Sequence, residues 1–192
     1  MRQTISKVLV LFFFLPCIAL AHTGIGQPTG FMHGFGHPIG GFDHILAMVA
    51  VGLWAAQIGG RALWVVPCTF VGVMVLGGVL GFTGVPVPFV EEGILVSILV
   101  LGVLIAGALK LPLVFSSLLV GLFAIFHGHA HGAEMPFSIG ASSYAAGFAV
   151  ATAMLHLAGI GLGMLLQKTN LQMMGRVAGG AIALSGLYLV FS

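Results

Sequence analysis

Eight histidines and a single aspartate set the chemistry open to this chain, and most of them fall in two short segments. The first is His37-Pro38-Ile39-Gly40-Gly41-Phe42-Asp43-His44, where the only aspartate stands beside a histidine inside an apolar stretch. A carboxylate within a membrane costs a few kcal/mol on insertion scales, so Asp43 calls for a partner or a bound cation. If a helix starts at His37, residues seven apart share a face about 10 Å apart along its axis, and Pro38 fits the first turn, where its missing N–H costs nothing. The second segment is Phe126-His127-Gly128-His129-Ala130-His131-Gly132-Ala133-Glu134. His127 and His131 are four apart on one helix face, a spacing one metal ion can bridge. His129 points elsewhere, or sits in a helix end unwound by Gly128 and Gly132. His156 is alone near the middle of a later apolar stretch, deep enough to be an inward second stop for an ion.

Each feature has a plainer reading. Asp43 paired with a histidine could simply pin two helices, the second segment could be a solvated loop, and His156 could be a core residue with a satisfied ring. Met48, Met74, Met154 and Met164 read as packing, the usual role of methionine in apolar helices. His22, His33, His129 and Glu134 are weaker metal candidates than His37, Asp43, His44, Glu91, His127, His131 and His156. Imidazole with carboxylate and no thiolate suits nickel, cobalt, zinc or copper(II), and suits magnesium or calcium poorly.

The elements that position these residues must be membrane helices. Of 192 residues, 59% are hydrophobic and only 5% charged, against about 25% charged in a soluble domain. The mean hydropathy is +1.20. So apolar a chain cannot cover a water-facing surface, and its solvent is mostly lipid. The net charge of +2 gives no case for a nucleic-acid partner. Arg2 and Lys7, the apolar run from Val8 to Ile18 and Ala19-Leu20-Ala21 read as a signal peptide over 1–21, cleaved to leave His22 at the N-terminus. Of the two cysteines only Cys68 then remains, which excludes an intrachain disulfide and a thiolate metal cluster.

Residues 22–192 read as one transmembrane transport domain. Six apolar stretches, near 37–58, 62–84, 92–109, 112–130, 143–167 and 175–191, each approach the ~20 residues that span a bilayer as a helix. The fold class is therefore an all-α polytopic membrane protein of six transmembrane helices after a cleaved signal peptide. No stretch alternates as a membrane barrel strand would. Gly77/Gly81, Gly159/Gly163 and Gly175/Gly179 have the small-xxx-small spacing of closely packed helices.

Arg61, Lys110, Lys168 and Arg176 fall in one set of alternate loops, and Glu91, Glu92 and Glu134 in the other. The positive-inside rule puts the basic set in the cytoplasm and both termini outside. The histidine and carboxylate clusters then face outward.

These residues resemble the HupE/UreJ family of nickel/cobalt permeases along essentially the whole mature chain. His37-Pro38-x-Gly40-x-x-Asp43-His44, followed by Ala47-Met48 and Val51-Gly52-x-Trp54, is similar to the family's HX5DH helix. Phe126-His127-Gly128-x-Ala130-His131-Gly132-x-Glu134 and Leu155-His156-x-x-Gly159 match further, as does Pro86-x-Pro88 leading to Glu91, Gly93 and Ser97. The resemblance implies a cleaved signal peptide, six helices in the bacterial inner membrane, and low-energy uptake of Ni²⁺ or Co²⁺, the transported ion rather than a tightly bound cofactor. It carries over His37, Asp43, His44, Glu91, His127 and His131 as functional residues.

Two other function classes use the same residues. An intramembrane zinc hydrolase would need a base and a substrate cleft, for which only Glu91, Glu92 and Glu134 are at hand; Ser185-Gly186 lacks the preceding glycine of a GxSG motif. A metal sensor or haem protein could draw axial ligands from His44, His127 and His156. No Walker A loop is present, so no nucleotide-hydrolysing partner is indicated by the chain itself. The expected partners are a divalent metal ion and the lipid bilayer, and the protein is expected not to be an enzyme.

Overall fold

A computed structural model describes residues 30–135 and 140–191. The expected signal peptide and His22 lie outside the described residues. Seven helices and no strand occur among the described residues: α1 Gly30–Gly40, α2 Phe42–Ile58, α3 Ala62–Phe82, α4 Val90–Ala106, α5 Leu113–Ala133, α6 Ala141–Lys168 and α7 Gln172–Phe191. Four of them, α3, α5, α6 and α7, are long and apolar enough to cross a membrane, and α1 with α2 makes a fifth candidate if the bent pair counts as one span. The expected third span is the 17-residue α4, about 26 Å long at 1.5 Å per residue, somewhat short of the ~30 Å hydrocarbon core.

The first expected span needs correction. It does not start at His37 but breaks at Gly41, where α1 and α2 meet at 83°. Gly41 is extended, with φ −102° and ψ 123°, and two adjacent glycines give a helix little reason to continue. His37 and Pro38 therefore end one helix instead of starting another, and Asp43 and His44 open the next. They do not share a helix face with His37; the bend brings them together instead. Asp43 gains the N-terminal turn of α2, where the helix dipole favours a carboxylate.

Helix pairs pack with their backbones nearly touching: α3 on α5, α4 on α7, and α6 on both α1 and α2. Glycine makes this possible. A methyl group at Gly128 would fall on the Met74 carbonyl, and one at Gly132 on the Gly78 carbonyl. This contact overturns the expected unwinding at these glycines: α5 runs helical through both to Ala133 because they seat it against α3. Gly77, Gly81, Gly159, Gly163 and Gly179 also lie at tight contacts, whereas Gly175 makes only ordinary ones. Small residues thus fill the interfaces while Leu76, Leu118, Leu157 and Leu184 face outward, the arrangement expected where lipid replaces water. Met48 and Met74 are buried packing residues; Met154 and Met164 are exposed. Cys68 is free and exposed.

Side chains at one end of the bundle satisfy helix-end carbonyls. Trp54 Nε1 donates to Leu109 O at 2.9 Å, Gln57 Nε2 to Ile105 O at 3.2 Å, Gln167 Nε2 to Ala56 O at 2.7 Å and Arg176 Nε to Ala106 O at 2.8 Å. The Arg176 charge also suits the C-terminus of α4. A cleft here is lined by Gln57, Lys110, Gln167 and Arg176. Asp43 and Gln57 are at opposite ends of α2, about 21 Å apart by helical rise. The bundle therefore has a basic, amide-rich end and an acidic, histidine-rich end.

Candidate metal centre

The histidine-rich end is a cleft formed where α1 stops, α2 and α4 start, and α5 stops. His37, Asp43, His44, Glu91, His131 and Glu134 all line it. Glycine shapes its floor: a methyl group on Gly41 would lie 2.8 Å from Asp43 Oδ1 and 3.0 Å from His44 Nδ1. The helix break thus turns the chain and leaves room for the carboxylate beside the imidazole.

Three residues from two helix ends and the residue after them converge most closely. His37, His131 and Glu134 each offer a ligand atom, and these atoms lie within 4.8 Å of one another. His37 Nε2 is 3.4 Å from Glu134 Oε2. Glu134 and Glu91 are exposed, His37 is partly buried, and His131 is buried. The carboxylates thus stand on the solvent side of this group and His131 on its inner side.

From there the rings form a stepwise line into the protein. His37 and His131 have ring centroids 4.6 Å apart, His131 and His44 4.3 Å, and His44 and His127 5.1 Å. His127 is fully buried. The next contact is Phe70, whose ring lies 5.6 Å from His127 and 5.1 Å, edge to face, from His156. His156 is therefore on the same line but behind an aromatic ring.

The hydrogen bonding of these rings is incomplete. His44 Nδ1–H donates to Asp43 Oδ2 at 2.9 Å, but His44 Nε2, His127 Nδ1 and both ring nitrogens of His131 and His156 are buried without a hydrogen-bond partner among the described residues. A buried polar atom left unpaired costs about 1–3 kcal/mol, and native interiors leave few of them. So many on neighbouring imidazoles fit a site whose partner is a cation rather than another protein group. The pinning reading of Asp43 is met only locally, since its partner is the adjacent residue of the same helix.

The weaker candidates separate clearly. Glu134 joins the cleft. His33 is exposed on α1 and is not among the cleft residues. His129 Nε2–H donates to Val85 O at 2.8 Å, tying α5 to the α3–α4 connection.

Several neighbours carried no site signal in the sequence. Phe148 packs its ring 4.4 Å from His131, and Tyr144 stands 6.1 Å from His37. Phe70 is an aromatic residue in an apolar helix, which nothing local distinguishes from core. Ser97 does leave a trace, as the last residue of the match running from Pro86-x-Pro88 through Glu91 and Gly93; it lies 3.0 Å from His127. Thr152 Oγ1 donates to Met74 Sδ at 3.7 Å one turn before His156.

A family model described as "HupE / UreJ protein" matches residues 9–189. The chain is 49% identical over 176 residues to "Protein HupE" of Rhizobium leguminosarum bv. viciae, covering 92% of each chain. No solved structure matches.

Proposed function

The chain belongs to the HupE/UreJ family, and from that premise we propose that it takes up nickel or cobalt across the bacterial inner membrane through its histidine/carboxylate cleft. The observation that carries this reading is the convergence of His37, His131 and Glu134 within 4.8 Å at the mouth of a cleft also lined by Asp43, His44 and Glu91. Borderline divalent ions favour this mixture of imidazole and carboxylate oxygen.

Glu91 and Glu134 draw the hydrated ion to the mouth. His37 and His131 replace part of its water shell, and Asp43 offsets its charge as it moves to His44. His127 and then His156 continue the line inward. The basic residues fall at the α2–α3, α4–α5 and α6–α7 connections and the glutamates at the α3–α4 and α5–α6 connections. That alternation supports an outward-facing cleft and a cytoplasmic basic end by the positive-inside rule. An inside-negative potential then favours entry by about 2.3 kcal/mol per charge per 100 mV, so uptake needs no nucleotide hydrolysis.

The test is whole-cell uptake of radioactive nickel and cobalt, each competed with the other and with zinc and copper. Saturable uptake of nickel or cobalt that depends on this chain is expected. Uptake indistinguishable from cells lacking the chain would exclude the proposal.

A further inference from the structure

Ser97, on α4, is fully buried against the ring of His127. Its Oγ lies 2.6 Å from Ile94 O and 3.0 Å from His127 Nε2. A hydroxyl has one proton, and a carbonyl oxygen can only accept. The proton of Ser97 therefore goes to Ile94, and the second contact forms only when His127 Nε2–H donates to Ser97 Oγ. Neutral His127 then carries its proton on Nε2 and a bare lone pair on Nδ1. That Nδ1 is buried and has no hydrogen-bond partner among the described residues.

The facing ring obeys the same logic. A carboxylate accepts, so His44 donates through Nδ1 to Asp43, and its Nε2 is left bare, buried and without a partner among the described residues. The two rings are 5.1 Å apart and nearly perpendicular, at 89°. With metal–imidazole bonds of about 2.1 Å, two rings sharing one ion have centroids roughly 4.5–5.5 Å apart.

We infer that His127 binds the metal through Nδ1, together with His44 Nε2, as an inner stop beyond the mouth of the cleft, and that Ser97 is the positioning residue that keeps Nδ1 bare. The inference rests on the transport reading above. It assigns Ser97 the part that outer-shell hydrogen-bond partners play at metal sites, where they fix the tautomer and orientation of a histidine ligand. Loss of such a partner costs about 10–100-fold in affinity or activity.

Uptake of radioactive nickel and cobalt is measured against concentration for wild type, Ser97→Ala and Ser97→Thr. Ser97→Ala is expected to reach the membrane, to lose about tenfold in maximal rate, and to keep its half-saturating concentration, because His37, His131 and Glu134 are untouched. Ser97→Thr retains the hydroxyl and is expected to restore most of the rate. Wild-type rates in Ser97→Ala, or equal loss in both variants, overturn the inference.

The tautomer is read separately and without any Ser97 variant. Solid-state nitrogen NMR of the full chain in lipid, with labelled histidine, identifies His127 by the resonances missing in His127→Gln. A bare Nδ1 that shifts on adding Zn²⁺, used as a diamagnetic probe, is expected. A bare Nε2, or an Nδ1 that zinc leaves unmoved, overturns the assignment. If wild type imports neither nickel nor cobalt yet shows the zinc-sensitive Nδ1, the transport reading fails and the ligand assignment stands.

Discussion

Asp43 Oδ2 lies 2.9 Å from His44 Nδ1, and this one contact between chain neighbours leaves Nε2 as the ring nitrogen of His44 with no hydrogen-bond partner among the described residues. The carboxylate orients the imidazole, as outer-shell carboxylates do for metal-bound histidines. Asp43→Asn removes the charge and allows the ring to flip its bond. Uptake of nickel and cobalt is expected to fall about 10–100-fold with unchanged protein in the membrane, measured by radioactive uptake beside an immunoblot. Asp43→Asn at wild-type rate would leave the pair a structural ornament.

Gly41 supports that pair from below. Gly41→Ala places a methyl group 2.8 Å from Asp43 Oδ1 and 3.0 Å from His44 Nδ1. It also favours helix where the chain must break. Uptake should drop several-fold, whereas Gly36→Ala, whose added methyl group would meet nothing within 4 Å among the described residues, should be close to neutral. Equal effects at both positions would show that the contact with Asp43 and His44 does not matter.

His129 and His131 are two residues apart on α5 and should behave oppositely. His131 is buried among the cleft rings with neither nitrogen hydrogen-bonded to any described residue, while His129 is committed to Val85 O. His131→Gln should abolish uptake with the protein still in place. His129→Gln should keep most of it and instead lower thermal stability by about 1 kcal/mol, the net worth of an ordinary hydrogen bond. Comparing uptake with thermal unfolding in detergent separates the two effects.

Gly128 and Gly132 predict a stability effect with no part in ligation. Either one changed to alanine drives a methyl group onto the α3 backbone. Such overpacking costs about 1–3 kcal/mol, visible as a lower unfolding temperature. Gly161→Ala, whose added methyl group would meet nothing within 4 Å, is the matched control and should unfold as wild type does.

How far the sequence reveals this structure depends on the kind of signal. The helices at 62–84, 112–130, 143–167 and 175–191 were legible because apolar length is a direct physical requirement of spanning a bilayer. The alternation of Arg61, Lys110 and Lys168 with Glu91 and Glu134 was legible because charge asymmetry is a property of the loops alone. The break at Gly41 was hidden, since Gly40-Gly41 sits in an apolar run that a continuous helix could also use. Gly128 and Gly132 look like helix breakers when read locally and become packing surfaces only when α3 lies against them. His37, Asp43, His44, Glu91, His127 and His131 could be named as metal candidates by type and motif, and the fold gathers them at one end of the bundle. Ser97 and Phe70 were not named as site residues, because a lone serine or phenylalanine gains its role from the imidazole it happens to face.

The most direct test of transport through this cleft uses the purified chain alone. It is reconstituted into lipid vesicles that enclose a metal-sensitive dye, with an inside-negative potential imposed and nickel or cobalt added outside. Wild type should show dye quenching that rises with the potential, and His131→Gln at equal reconstitution should show none. Absence of metal entry with wild type, or equal entry through wild type and His131→Gln, would contradict the central claim.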